Sequence, residues 1–286
     1  MPTKIEKDAL SGQETTGHEW DGVKELNTPL PTWWVYTFYA TIVFSVVYCV
    51  LYPSWPWINS HAPGLLGQTN RTDLTRELDA QAEGRASFVD RIRAASLDQI
   101  RKDPALLSFA MAGGRSAFQT NCMQCHGAGG AGSTGFPNLV DDDWLWGGTV
   151  DQLYATIQHG IRNTDDRSRQ SLMPKFGVDG LLTGPQVAAV TDYVLSLSGR
   201  GQAAPEGAKI WQEQCVACHQ ADGKGNQELG APNLTDGIWL YGGDRNSIYR
   251  SIFYARNGSM PAWSGRLDDA TLKMLAIYVH SLGGGR

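Results

Sequence analysis

Two runs of one type, Cys122-Met123-Gln124-Cys125-His126 and Cys215-Val216-Ala217-Cys218-His219, hold four of the five cysteines in a chain of 286 residues. Two thiols one helical turn apart, with a histidine directly after the second, suit covalent attachment of a porphyrin. The sulfurs add across its two vinyl groups and the imidazole reaches the iron from one face. The pattern predicts two covalently attached haem c groups, bound through Cys122, Cys125, Cys215 and Cys218, with His126 and His219 as proximal ligands. Half of a zinc site or a redox dithiol explains one such run; two runs in a repeated context favour haem.

The context repeats when Cys122 is aligned with Cys215. Gly114 and Phe118 match Gly207 and Trp211. After the motifs Pro137-Asn138-Leu139 matches Pro232-Asn233-Leu234, and Trp144-Leu145-Trp146-Gly147-Gly148 matches Trp239-Leu240-Tyr241-Gly242-Gly243. Tyr154, Ile157 and Arg162-Asn163 correspond to Tyr249, Ile252 and Arg256-Asn257. Each copy then reaches a Met-Pro pair, Met173-Pro174 and Met260-Pro261, and a helical segment in which Tyr193 matches Tyr278. Two homologous modules are the simplest reading.

Met173 and Met260 are the candidate sixth ligands. A thioether favours Fe(II) over Fe(III) and so raises the reduction potential, which suits donation to a strong oxidant. Met111, Met123 and Met274 read as packing residues. His159 competes with Met173 for the first iron, but a polar role beside a haem propionate suits it, and its counterpart Tyr254, better than ligation.

The elements that position these groups begin upstream. Residues 26–70 contain no Asp, Glu, Lys or Arg, and within them residues 33–52 form an apolar run long enough to cross a hydrocarbon layer of roughly 30 Å. Trp33 and Trp34 mark one end of the run and Tyr52, Trp55 and Trp57 the other, as interfacial aromatics do, with Pro53 and Pro56 ending the helix. A buried core helix would carry charge on its flanks, and a cleaved leader would be shorter. Thr37, Thr41, Ser45 and Cys49 form a stripe of small side chains, expected either to pack on another membrane helix or to bond back to its own carbonyls. Residues 1–25 read as mobile, without a periodic pattern. Between the span and the first motif, Leu74, Leu78, Phe88, Ile92, Leu97 and Ile100 make an apolar line broken at Pro104, read as a helical connector that neither module needs.

Composition excludes a nucleic-acid footprint: the net charge is −5, with 42% hydrophobic residues. The fold class expected is mainly α, one N-terminal transmembrane helix followed by two tandem cytochrome c-like haem domains. The boundaries are an N-terminal segment 1–30, span and flanks 31–58, connector 59–112, first domain 113–200 and second domain 201–286.

Thr28-Pro29-Leu30-Pro31 with Trp33-Trp34 before one span, Tyr52-Pro53-Ser54-Trp55-Pro56 after it, a connector and two haem c modules together resemble the dihaem subunit III (CcoP/FixP) of cbb3-type cytochrome c oxidases, over essentially the whole chain. The resemblance implies a non-catalytic electron-transfer subunit in the bacterial inner membrane with its haem domains in the periplasm. Its implied partners are a donor cytochrome c, the monohaem cytochrome c subunit II, the catalytic haem-copper subunit I and the lipid membrane. It also implies His and Met ligation, leaving open which methionine serves which haem. The insertion near residues 164–171, found only in the first copy, is expected to shape a docking surface for the donor. Rival readings are a stand-alone tethered dihaem carrier, a dihaem cytochrome c peroxidase, which needs one iron with an open site, and a gas sensor, which lacks a signalling domain here.

Overall fold

The computed structural model describes residues 4–283. They fall into two compact units, residues 1–83 and 84–286.

In the first unit, β1 (Thr15–Trp20) and β2 (Val23–Leu26) form an antiparallel hairpin. Asp21 and Gly22 make the turn, both at positive φ (50° and 84°), the signature of the tight hairpin turn that matches strand twist. Lys24 bonds Glu6 at 2.6 Å, and the buried Thr15 accepts the Glu6 amide. The expectation of a mobile segment over residues 1–25 is therefore corrected for residues 6–25, residues 1–3 lying outside the described ones. Its Asp-Gly turn signal outweighs the low hydrophobicity that suggested disorder.

α1 (Thr32–Leu51) carries the apolar run, with a mean hydropathy of 1.8 and none of its residues buried. Apolar side chains on every face of an unburied helix suit a lipid surroundings and not a soluble core. Thr37 and Ser45 donate to the carbonyls of Trp33 and Thr41, four residues back, and Thr41 donates to Phe38. The stripe hydroxyls are satisfied within their own helix. At the far end Ser54 Oγ donates to Cys49 O, and the Leu65 and Leu66 amides donate to Val50 O and Leu51 O. These bonds satisfy carbonyls that a helix end leaves unpaired.

α2 (Asn70–Ala94) runs from the first unit into the second and is followed by α3 (Leu97–Lys102), α4 (Pro104–Asn121) and α5 (Met123–His126). Then come α6 (Val150–His159), α7 (Gly184–Leu197), α8 (Pro205–Gln214), α9 (Val216–His219), α10 (Arg245–Tyr254) and α11 (Asp269–Ser281). Their starts are written locally. Asp103 accepts from the Ala105 and Leu106 amides with Pro104 in the first turn, and Thr149 with Gln152 forms a reciprocal capping box.

The second unit has two hydrophobic cores. The first joins Ile92, Leu97 and Ile100 with Leu106 and Phe118 of α4, Leu153 and Ile157 of α6, and Leu272, Leu275 and Val279 of α11. The second joins Val187, Val190 and Val194 of α7 with Ile210 and Trp211 of α8 and Ile248 of α10. α4 therefore packs on the last helix of the chain, and α8 packs on α7, the helix just before it. The second core is contiguous in sequence and is nested inside the first.

The connector reading is corrected in its second half. Ile92 and Ile100 are fully buried in the first core, and Lys273 of α11 donates to Arg93 O (2.7 Å) and Ala95 O (3.0 Å), closing the end of α2. Leu74 and Leu78 are exposed, so only the part from Phe88 onward follows the apolar line into a core.

Candidate haem sites

Each motif sits at the end of a packed helix. Cys122 ends α4, and its carbonyl accepts from the Cys125 and His126 amides; Cys215 ends α8 and accepts from Cys218 and His219 in the same way. One helical turn thus carries two thiols and an imidazole. Burial pushes the Cys122 thiol up to about 11 and the Cys215 thiol up to about 12. A redox dithiol works through a thiolate with a depressed pKa, so this environment is the opposite of that alternative. No cluster of three or more His, Cys, Asp or Glu suited to a metal ion occurs among the described residues, which leaves a zinc reading without its ligand set.

The two histidines are held alike. His126 Nδ1 donates to Pro137 O and His219 Nδ1 to Pro232 O, each at 3.2 Å. A carbonyl can only accept, so the proton lies on Nδ1 and the Nε2 lone pair is free for a metal. Burial also lowers the pKa of both imidazoles and keeps them neutral. The matched Pro-Asn-Leu runs thus orient the proximal histidine, a role their repetition flagged but did not explain. Two indole N–H groups in the second core, Trp211 Nε1 and Trp239 Nε1, are buried with no acceptor. A porphyrin brings carboxylates to such a core, so the residues present fit a haem.

The structure brings Met260 against the first core together with Cys122, and Met173 against the second together with Cys215. Each Met loop is tied across the halves. Met260 and Ile161 exchange backbone hydrogen bonds at 2.9 Å in both directions, and Asn163 Nδ2 donates to Met260 O at 2.8 Å. Asn257 accepts from the Met173 amide and donates to its carbonyl, both at 3.4 Å.

His159 is buried and its Nδ1 pairs with Asp165 Oδ2 at 3.2 Å, while Tyr254 is exposed. The insertion folds against its own half: Ser168 is buried, and Arg169 donates to Thr156 Oγ1 and stacks on Trp146 at 5.2 Å. In the other half Arg256 donates to Ser251 Oγ and stacks on Tyr241 at 4.8 Å. By geometry the partner of Arg256 is Arg169, not Arg162; the insertion displaced the arginine beyond the reach of a simple alignment. Asp143 is pushed up to about 6 by burial and by Asp236, Asp141 and Asp142, which gather near it from both halves.

Two helical cores, each presenting a Cys-x-x-Cys-His turn with a methionine loop packed against the same core, define a c-type cytochrome with two domains. The chain matches three family models in order: the N-terminal domain of cytochrome oxidase-cbb3, FixP, over residues 12–59, cytochrome c over 111–198, and cbb3-type cytochrome C oxidase subunit III over 202–279. It is 54% identical over 290 residues to the cbb3-type cytochrome c oxidase subunit FixP of Bradyrhizobium diazoefficiens, with 100% of both chains covered. It is 49% identical over 289 residues to the subunit CcoP of Cereibacter sphaeroides, again with 100% of both covered. The similarity to CcoP of Azospirillum brasilense is 51% over 291 residues, with 98% of this chain and 99% of that one covered. The chain belongs to the FixP/CcoP family of cbb3-type cytochrome c oxidase subunits.

Proposed function

We propose that the protein is the membrane-anchored dihaem electron-transfer subunit of a cbb3-type oxidase and catalyses nothing alone. A bound haem c supplies an iron that cycles between Fe(III) and Fe(II). Cys122 and Cys125 would hold one porphyrin and Cys215 and Cys218 the other. His126 and Met260 would hold the iron of the first haem, and His219 and Met173 that of the second. The observation that carries this crossed assignment is that Met260 and Cys122 pack against one core, and Met173 and Cys215 against the other.

The residues do three things. The prolyl carbonyls fix the imidazole tautomer, the thioethers raise the potential, and the nested cores hold the two sites in one compact body so that no large motion intervenes between them. α1 anchors the chain in the bacterial inner membrane with the cores in the periplasm, where covalent haem attachment takes place. Electrons enter from a donor cytochrome c and leave towards the monohaem cytochrome c subunit and the haem-copper subunit.

The experiment is purification through a tag on this chain in mild detergent, with reduced-minus-oxidised spectra and oxygen uptake. Haem b signals and cyanide-sensitive uptake are expected. A lone protein with only c-type absorption and no uptake would show the stand-alone carrier instead.

A further inference from the structure

Arg162 has no structural twin in the second half, because Arg169 already makes the contacts that Arg256 makes there. Its guanidinium instead reaches in two directions. Nε donates to Gly258 O at 2.6 Å and Nη1 donates to Ser171 O at 2.8 Å. Gly258 lies two residues before Met260, and Ser171 lies two residues before Met173. One side chain therefore ties together the loops that carry both methionines.

The surroundings hold that side chain in place. Arg162 has a left-handed φ of 49°, a conformation a non-glycine residue keeps only when its contacts demand it. The Arg162 amide donates to Arg169 O at 2.8 Å, and the guanidinium lies 5.9 Å from the Trp146 ring centroid. A planar fork with several fixed donors can serve two carbonyls at once, which a point charge on a flexible stem does poorly. The adjacent Asn163 differs: its Nδ2 donates to His159 O and Met260 O, both at 2.8 Å, and its Oδ1 accepts the Asp165 amide at 2.7 Å, so of the backbone groups within two residues of a methionine its side chain bonds only Met260 O.

We propose that Arg162 is a positioning residue that straps the two methionine loops to each other, so that the axial ligation of the two haems is mechanically coupled, while Asn163 positions Met260 alone. The proposal rests on the methionine ligation proposed above.

The test is a redox titration of the full chain in detergent, on variants that keep two covalent haems. Met173→Leu and Met260→Leu each lower one of the two potentials and so assign them. Arg162→Gln, too short to serve both carbonyls, is expected to lower both potentials and to weaken the thioether-to-iron charge-transfer band of both ferric haems. Asn163→Ala is expected to lower only the potential that Met260→Leu lowers. Where Arg162→Gln loses haem, Arg162→Lys keeps the charge without the fork and is expected to give the same double shift in smaller measure. Native potentials in the Arg162 variant, or a shift in one alone, would overturn the strap while leaving the ligation standing. Unchanged potentials in both methionine variants would overturn the ligation and the strap with it.

Discussion

Gly114 on α4 and Met274 on α11 meet at the level of the backbone: a β-carbon on Gly114 would lie 2.2 Å from the Met274 carbonyl oxygen and 2.6 Å from the Tyr278 β-carbon. Gly207 on α8 has the same relation to α7, where a β-carbon would fall 2.3 Å from Ala189 O. The repeated glycine is thus the contact point of each helix pair.

Gly114→Ala must push α4 and α11 apart, since the obstructing atoms are backbone and cannot swing aside. A loss of about 2 kcal/mol is expected. Gly84→Ala in α2, where nothing lies within 4 Å, is the control and is expected to gain roughly 0.5–1 kcal/mol from helix propensity. Denaturant unfolding of the haem-loaded chain in detergent measures both; equal stability of the two variants would contradict the close crossing.

Leu275 is fully buried in the first core although it belongs to the second sequence repeat. Leu275→Ala is expected to cost about 3 kcal/mol through lost burial and the cavity left behind. The informative readout is where the loss falls. Hydrogen exchange should speed up in α4 and leave α8 protected, and the reverse pattern would refute the nested arrangement.

Asp143 titrates above the usual carboxylate range because burial and three neighbouring aspartates oppose its charge. Its folded pKa exceeds the unfolded one, so the folded chain holds the proton more tightly. That contribution is full below about pH 4 and lost as pH rises through about 6. Asp143→Asn is expected to stabilise the chain at about pH 7 by on the order of 1 kcal/mol, after allowance for solvent screening, and to change nothing near pH 4. Thermal unfolding at the two pH values checks both halves of the statement.

The two Cys-x-x-Cys-His runs and the apolar span were legible because each is local: a thiol spacing with a neighbouring imidazole, and a run without charge. The prolyl carbonyls at Pro137 and Pro232 were legible only as repetition, since a backbone acceptor leaves no side-chain signature. The hairpin at Asp21-Gly22 had a turn signal that the polar composition concealed. The equivalence of Arg169 with Arg256 was hidden by the insertion, which shifts a contact made in both halves away from its matching position in the repeat.

The sequence by itself determined that there are two homologous cytochrome c modules behind one apolar span, each with a Cys-x-x-Cys-His run and a Met-Pro pair. Only the tertiary structure decided which repeat completes which core. α4 and α8 present the same glycine-centred face, and α7 and α11 present the same complementary face, so local pattern cannot choose between the two pairings. Chain connectivity supplies the difference. Residues 198–204 join α7 to α8 closely enough that these two pack together, and α4 is left to the remaining partner, α11. The methionine loops travel with those helices, which is why Met260 comes to the core that Cys122 packs on and Met173 to that of Cys215.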